Sequence, residues 1–213
     1  KAVKTDAAKL NEYIETVLQI EGVACKDWLT NKVDRSVTGK IARQQCQGEI
    51  QLPLSDCGVV ALDYTGNSGI ATSIGHAPQA GLIDPAAGSV LSITEALTNI
   101  VGANLNGGLK AVSLSANWMW PCRNEGEDAG LYRAVKACSD FACSLGINIP
   151  TGKDSLSMTQ KYGNKKVIAP GTVIISAGGE VCDVKKTVSP VLQQKKSRLY
   201  YIDFSGCDMQ LGG

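Results

Sequence analysis

Glu95 and Asn99 lie four residues apart in a segment whose apolar residues follow a helical period. A four-residue step places both side chains on one face of a helix, one turn apart. A carboxylate and an amide oxygen suit a hard cation such as Mg²⁺, which completes its coordination shell with water and phosphate. The same pattern is typical of a solvated polar face, because Glu and Asn are common on helix surfaces, so the spacing alone leaves both interpretations open.

Asp56 is a second candidate for chemistry, between Ser55 and Cys57 at the point where an apolar, β-branched segment begins. A lone aspartate at the start of a strand is usually a turn or cap residue. A functional role for Asp56 therefore needs support from other residues.

A third polar segment, residues 151–158, places Gly152 and Lys153 beside Asp154 and several hydroxyl side chains. Backbone N–H groups at a glycine and a lysine cation can bind phosphate, while the carboxylate stays available to a metal. The segment is not a P-loop, because Ile147 occupies the position of the first glycine. The alternative is the polar end of a β-hairpin.

Hydrophobic periodicity and turn residues predict the elements that carry these groups. Helices are predicted at residues 7–20, with Asp6 as N-cap, and at 25–33, 89–101 and 126–145. Strands are predicted at residues 55–63, 70–74, 109–114, 147–149, 155–159, 172–176 and 199–204. Residues 76–88, which carry two prolines and two glycines, are predicted to be a loop, and residues 184–196 a linker. This alternation indicates an α/β or α+β fold.

Composition excludes several classes of function for these 213 residues. Twenty-one basic against 20 acidic residues give no footprint for general nucleic-acid binding, and no apolar run approaches the length of a membrane helix. The sole histidine, His76, leaves little material for histidine-based metal sites or independent catalytic triads. The eight cysteines include no Cys-x-x-Cys pair and are predicted to be small buried hydrophobes, with a disulfide framework or a catalytic thiol as alternatives.

Seven short segments occur in the same order, at similar spacing, in one known family. They are residues 34–39, 54–57, 74–78, 94–100, 114–119, 126–132 and 152–158. Together they make essentially the whole chain resemble the large, single-chain phosphoribosylformylglycinamidine synthases of purine biosynthesis. That family is several times longer, and this sequence opens without Met and closes just after an apparent strand. We therefore expect a piece of a longer protein.

The resemblance implies an α/β (α+β) fold like that of aminoimidazole ribonucleotide synthetase, with a mixed sheet and flanking helices. Family enzymes resemble two fused copies of that fold followed by a glutamine amidotransferase domain, and this chain is similar to the start of the second copy. Residues 1–50 would be a helical lead-in and residues 51–183 the N-subdomain. Residues 184–213 would be the truncated start of the C-subdomain. The sheet would pair with that of the other copy.

The resemblance also implies two nucleotide-dependent sites. Asp56, Glu95 and Asn99 match Mg²⁺ ligands of an auxiliary nucleotide site, and Ser55 matches a residue that touches its nucleotide. Another aspartate and a serine of that site fall downstream of this chain.

The second implied site is the synthetase site, to which residues 152–155 would contribute a loop. Gly152 is expected to contact nucleotide, Asp154 to lie near Mg²⁺, and Ser155 to bind substrate phosphate or amide. Lys153 lies in the same loop, where short-chain relatives carry asparagine. None of the family's catalytic residues falls within this chain.

The implied activity is that of an ATP-dependent carbon–nitrogen ligase with glutamine as amido donor. It converts formylglycinamide ribonucleotide, ATP and glutamine to formylglycinamidine ribonucleotide, ADP, phosphate and glutamate, with Mg²⁺ and ATP or ADP as cofactors. Alternatives are an inactive structural or pairing module and a smaller ATP-dependent relative of the same fold. We expect no ammonia-dependent turnover from the isolated chain, because the partner sheet and the catalytic histidine are missing.

The implied partners are these substrates and the other synthetase-like half of the same protein, or a second copy when the chain is isolated. Neither a nucleic acid nor a membrane is an expected partner. A cytoplasmic location is expected from the pathway.

Overall fold

The computed structural model describes residues 6–30, 35 and 39–203. The chain begins with a 3₁₀ turn, Ala7–Lys9, and helix α1 (Leu10–Leu18), followed by the short helix α2 (Asp27–Thr30). Asp6 caps the first turn as predicted, because its carboxylate accepts a hydrogen bond from the Ala8 N–H at 3.0 Å. Residues 31–33 of the predicted second helix lie outside the described residues.

Ten strands and three further helices follow within the described residues. The strands are β1 (Ile41–Arg43), β2 (Cys46–Gln47), β3 (Leu52–Pro53), β4 (Cys57–Ala61), β5 (Gly69–Gly75), β6 (Ser113–Met119), β7 (Asn148–Ser155), β8 (Thr159–Tyr162), β9 (Lys165–Ile168) and β10 (Thr172–Val181). The helices are α3 (Pro78–Ile83), α4 (Pro85–Ile100) and α5 (Glu127–Leu145). No helix of the described residues is both long enough and apolar enough to cross a bilayer.

Six of these strands form one mixed sheet in the order β1-β4-β5-β10-β6-β7. Its neighbours pair antiparallel except β6 and β7, which are parallel and are connected through α5. A parallel pair needs such a crossover, because a tight turn can only join antiparallel strands. The pairs β2–β3 and β8–β9 form separate two-stranded sheets. This mixed sheet with flanking helices confirms the predicted fold class.

The core lies between one face of the sheet and helices α4 and α5. Alternate residues of β5 are buried on this face, and all of them are small: Gly69, Ala71, Ser73 and Gly75. They allow α4 to approach closely, and the Ser73 hydroxyl donates to the Ala96 carbonyl at 2.6 Å. Large side chains complete the core from other elements: Ile93, Ile100, Leu114, Ile175 and Val59.

The opposite face of the sheet carries exposed apolar side chains. Ile70 and Ile74 of β5 are 47% and 57% exposed, and Val60 of β4 is 37% exposed. We call the face that carries Val60, Ile70 and Ile74 the open face.

The predicted loop at residues 76–88 is wrong, because α3 and the first turn of α4 occupy most of it. Pro78 and Pro85 begin these helices, where a missing N–H leaves no hydrogen bond unmade and the fixed φ favours the helix. Asp84 accepts a hydrogen bond from the Ala86 N–H at 3.0 Å and caps α4, which starts at Pro85, four residues before the predicted start at residue 89.

Four strand predictions are also corrected. Residues 109–111 lie in a 3₁₀ turn, Gly108–Ala111, and β6 starts at Ser113. In place of the two predicted pieces at 147–149 and 155–159, β7 runs continuously from Asn148 to Ser155, because it pairs with β6 along that stretch. Residues 156–158 form no strand, and Thr159 begins β8. Residues 199–203 form no strand, while Phe204 lies outside the described residues.

The described cysteines form no disulfide, and they differ in how deeply they are buried. Three are buried as predicted: Cys46, Cys57 and Cys138. The prediction is wrong for three that are exposed: Cys25, Cys143 and Cys182. Cys122 is half-buried, and Cys207 lies outside the described residues.

Alkaline pH is expected to destabilise the chain through Cys138. Burial raises the pKa of this thiol from 9.0 to about 11, so the folded chain keeps a proton that the unfolded chain has already lost. The stabilisation by the neutral thiol is therefore complete below pH 9.0 and is lost as the pH rises through about 11. A shift of this size corresponds to about 2–3 kcal/mol.

The free energy of unfolding, measured by urea denaturation at a series of pH values from neutral to about 11, tests this effect. Replacing Cys138 with alanine should remove the part of the pH dependence that is due to this thiol, whereas Cys143→Ala, at an exposed position of the same helix, should retain it. An unchanged pH dependence in Cys138→Ala would contradict the prediction.

Candidate functional site

The antiparallel pairing of β4 and β5 brings Asp56 to the carboxyl end of β5. Cys57 is the register partner of Ser73. Asp56, which precedes β4, therefore lies at the same end of the pair as Ile74 and His76. The Ser55 hydroxyl donates to the carbonyl of Cys57 at 3.0 Å, which orients the segment leading into β4.

Helix α4 brings Glu95 and Asn99 to this same end. Glu95 Oε2 accepts a hydrogen bond from the His76 N–H at 2.6 Å, and Asn99 Nδ2 donates to the Ile74 carbonyl at 3.0 Å. The helical face predicted from the four-residue step thus contacts β5 through both side chains. The contacts also have a structural role, because they attach α4 to the end of the strand.

Gly75 makes this approach of helix and strand feasible. A Cβ atom at this position would lie within 3.0 Å of the Ser92 carbonyl oxygen and the Ala96 backbone nitrogen, both of α4. Because both atoms belong to the helix backbone, neither can turn aside as a flexible side chain would. The glycine therefore sets the distance at which Glu95 reaches the His76 N–H.

All four residues assigned to the auxiliary site line one cleft of about 750 Å³. They are Ser55, Asp56, Glu95 and Asn99. The Glu95 and Asp56 side chains belong to exposed residues, whereas Ser55 and Asn99 are half-buried. The structure therefore brings these residues into one solvent-accessible cleft.

The oxygen donors of the cleft fit a magnesium ion bound with few protein ligands. Asn99 donates to the Ile74 carbonyl through its side-chain amide nitrogen, so this hydrogen bond does not use the side-chain oxygen of Asn99. Within the described residues, no three His, Cys, Asp or Glu side chains group into a metal site of their own. Two carboxylates and one amide would leave the remaining coordination positions to water and phosphate, as is usual for Mg²⁺.

Arginine side chains and His76 also line the cleft, and sequence reasoning assigned a role to none of them. The positive charges of the two arginines, Arg35 and Arg43, offset the negative charges of the two carboxylates in the cleft. His76 is exposed beside Glu95. Arg35 belongs to residues 34–39, one of the segments that carry the family resemblance, and this membership could have indicated a role for it. Arg43 lies in the predicted lead-in segment, and no local signal marks it.

Burial affects two titratable groups beside the cleft. It lowers the pKa of the Arg43 guanidinium and raises that of the Cys57 thiol, against the smaller opposing influence of each group on the other. The raised pKa keeps the Cys57 thiol protonated at neutral pH, and a protonated thiol is a poor nucleophile.

Residues 152–155 lie elsewhere, in strand β7 at the opposite edge of the sheet from β1. The expectation that they form a loop is wrong, because they pair in parallel with residues 116–119 of β6. None of Gly152, Lys153, Asp154 and Ser155 lines the cleft. The Lys153 ammonium donates to the Ser155 hydroxyl at 2.6 Å, so these two side chains share one face of the strand.

Gly152 has a structural reason to be glycine. A Cβ atom there would lie within 3.0 Å of the carbonyl oxygen of Ala116, its register partner on β6. Close pairing of the two strands therefore excludes a side chain at this position, whatever else Gly152 contacts.

Sequence comparison identifies the family. Residues 25–180 match the family model of the FGAR-AT PurM_N-like domain. The chain belongs to this family. It is 43% identical over 206 residues to phosphoribosylformylglycinamidine synthase of Homo sapiens and 41% identical over 208 residues to that of Drosophila melanogaster. Each match covers 96% of the chain, which spans 15% of the length of either relative.

Solved structures agree with this membership at the level of the fold. The structure of PurLQS from Thermotoga maritima matches with a TM-score of 0.61 and 15% identity, over 78% of this chain and 25% of the other. T. maritima PurL complexed with ADP matches with a TM-score of 0.57 and 16% identity, with the same coverage of both chains. The predicted family and synthetase-like fold are thus confirmed.

Proposed function

We propose that the chain is one part of an ATP-dependent carbon–nitrogen ligase, a phosphoribosylformylglycinamidine synthase, and that its cleft binds a magnesium nucleotide. The observation that carries the proposal is the placement of Asp56, Glu95 and Asn99 around one cleft at the end of β5. The relatives at 41–43% identity, which carry that enzyme's name, support the reaction. The enzyme would use ATP and glutamine to convert formylglycinamide ribonucleotide to its amidine.

In this proposal Asp56, Glu95 and the Asn99 carbonyl oxygen bind Mg²⁺. When bound there, the ion would neutralise charge on the phosphates of ATP or ADP, while the three oxygen ligands would hold the ion. Ser55 contacts the nucleotide from the start of β4. Structural neighbours that are complexed with ATP and with ADP support a nucleotide as the occupant.

Gly152, Lys153, Asp154 and Ser155 form part of a second site in the same proposal, the synthetase site. The cleft is lined mainly by residues of β1, β4, β5 and α4, whereas residues 152–155 lie in β7 at the far edge of the sheet, which supports two separate sites rather than one. The ammonium of Lys153 beside the Ser155 hydroxyl offers donors to a substrate phosphate or amide, and Asp154 offers an acceptor to a metal.

We further propose that the open face of the sheet pairs with the other synthetase-like half of the enzyme. Its exposed isoleucines, Ile70 and Ile74, favour a protein partner over water. The division into residues 1–50, 51–183 and 184–213 stays a proposal, in which the first segment also contributes β1 to the sheet. The cytoplasmic location remains a prediction from the family resemblance, and a homodimer remains one for the isolated chain.

Mg²⁺-dependent binding of ADP tests the auxiliary site. In the full-length enzyme that carries this segment, Asp56→Asn and Glu95→Gln should each weaken Mg²⁺-dependent ADP binding at one site by about 10- to 100-fold or more, because each removes a charged ligand. Glutamine at position 95 still offers an oxygen to the His76 N–H, so the contact between helix and strand can persist. Equilibrium dialysis with and without Mg²⁺ gives the affinity and the number of ADP molecules bound.

Asp140→Asn is the matched control for the loss of one carboxylate. Asp140 lies on α5, pairs with Lys136 at 2.6 Å on the surface, and does not line the cleft. This control should bind ADP as the wild type does. If Asp56→Asn and Glu95→Gln also bind the full complement of ADP with unchanged affinity and Mg²⁺ dependence, the proposed site is wrong.

A further inference from the structure

We propose that Arg43 binds a phosphate group of the nucleotide in the cleft, an inference that rests on the proposed function. Arg43 lies on the edge strand β1, where it is the register partner of Val59 on β4. Its side chain lines the main cleft together with Ser55, Asp56 and Asn99. It also lines a smaller adjoining cleft of about 250 Å³, which the same three residues share.

The hydrogen-bond donors of Arg43 are largely unused. Nη2 donates to the Thr187 carbonyl at 2.8 Å, whereas Nε and Nη1 are shielded from solvent and donate to no acceptor. A buried donor without a partner carries an uncompensated desolvation cost. An acceptor that entered the cleft, together with a rotation of the guanidinium toward it, would remove that cost.

Arg35, the other arginine of the cleft, differs in this respect. Its Nε donates to the Gln44 side chain at 2.8 Å, and its Nη2 donates to that of Gln51. Of the two arginines, Arg43 therefore has the guanidinium with donors available for a ligand.

The charge of Arg43 also lacks a partner. Among the ion pairs of the described residues, none includes Arg43. Burial lowers the pKa of its guanidinium, and the neighbouring Cys57 thiol, whose pKa burial raises, supplies no negative charge at neutral pH. With Asp56 and Glu95 assigned to Mg²⁺, the complementary group is an anion of the ligand.

A phosphate matches this site in charge and in geometry. The planar guanidinium presents parallel N–H donors that pair with two oxygens of one phosphate group. Mg²⁺ and Arg43 would then both bind the phosphates, and the site would favour a nucleoside diphosphate or triphosphate over an uncharged nucleoside.

The test compares Arg43→Gln and Arg43→Lys in the full-length enzyme that carries this segment. The measured quantity is the affinity for ADP at the site where Asp56→Asn weakens binding. Adenosine serves as the uncharged comparison ligand. Loss of a charge-assisted contact should weaken ADP binding by about 10- to 100-fold in Arg43→Gln. Arg43→Lys should restore part of that affinity, and adenosine binding should be the same in all three proteins.

Lys40→Gln is the matched control, since it removes one positive charge three residues away. Lys40 donates to the Leu62 carbonyl at 3.1 Å, stands over the Tyr64 ring and does not line the cleft. Its ADP affinity should equal that of the wild type.

Two outcomes overturn the inference and are distinguishable from failure of the proposed function. If Arg43→Gln keeps wild-type ADP affinity while Asp56→Asn loses it, the nucleotide site stands and Arg43 is not part of it. If Arg43→Gln lowers ADP and adenosine affinity equally along with the melting temperature, Arg43 only attaches β1 to Thr187. If Asp56→Asn itself has no effect, the proposed function fails first and the inference fails with it.

Discussion

Replacing Gly75 with alanine is expected to destabilise the chain by about 3 kcal/mol or more and to move Glu95 away from His76. The added Cβ atom would lie within 3.0 Å of two backbone atoms of α4, the Ser92 oxygen and the Ala96 nitrogen. The helix would have to move away from β5 as a unit, since its backbone cannot yield at single atoms. Alanine favours a strand more than glycine does, so local propensity predicts the opposite sign.

Urea denaturation of the purified chain measures the effect, with Gly178→Ala as the matched control. Gly178 lies in β10 of the same sheet, and a Cβ atom there would meet nothing within 4 Å. The control should change the unfolding free energy by less than about 1 kcal/mol. Equal midpoints for the two variants would contradict the structural role of Gly75.

The same substitution should also impair the proposed auxiliary site. Glu95 would reach Mg²⁺ only while α4 contacts the end of β5. At the ADP site that Asp56→Asn disrupts, the Gly75→Ala variant of the full-length enzyme should therefore have a lower ADP affinity than the Gly178→Ala variant. Wild-type ADP affinity in a folded Gly75→Ala variant would show that the position of α4 does not determine the site.

Replacing Gly152 with alanine is expected to cost about 2–3 kcal/mol and to loosen β7 from the sheet. The Cβ atom would lie within 3.0 Å of the Ala116 carbonyl oxygen on β6, the strand with which β7 pairs. β7 is an edge strand of the sheet and has β6 as its partner there, so the strain falls on this one pairing.

Hydrogen exchange of the β7 amides, together with urea denaturation, tests this prediction. Thr151→Ala is the control, since Thr151 is the exposed neighbour of Gly152 and its replacement should leave exchange nearly unchanged. Slow exchange and full stability in Gly152→Ala would contradict the packing argument. They would leave nucleotide binding as the sole role proposed for this glycine.

Local signals were sufficient for the long helices. The segment that forms α5 carries an apolar stripe, acidic residues Glu127 and Asp128 in its first turn and Gly146 after its last, and the observed helix starts one residue after the predicted boundary. Where local signals were misread, the physical reason is also local. Pro78 and Pro85 suggested a loop, although proline stabilises the first turn of a helix.

Pairing between distant segments could not be read from the sequence. The continuity of β7 depends on its register with β6, and the place of β1 in the sheet depends on β4. Neither segment has the alternation or the length that identifies a strand by itself, since β1 has three residues and β7 contains Pro150 and Gly152. The strand predicted at residues 199–204 shows the converse, because a strand-like composition did not by itself produce a strand over the described residues 199–203.

For the candidate site, the sequence alone determined that Glu95 and Asn99 share a helix face, because helical periodicity is a local property of the chain. It also indicated the family, through seven segments in a fixed order. The tertiary structure decided that Asp56 lines the same cleft as that face, through the register of β4 with β5 and the close approach of α4 at Gly75. It likewise placed Arg43 in the cleft and residues 152–155 at the other edge of the sheet, since both positions follow from strand order, which non-local hydrogen bonds and packing determine.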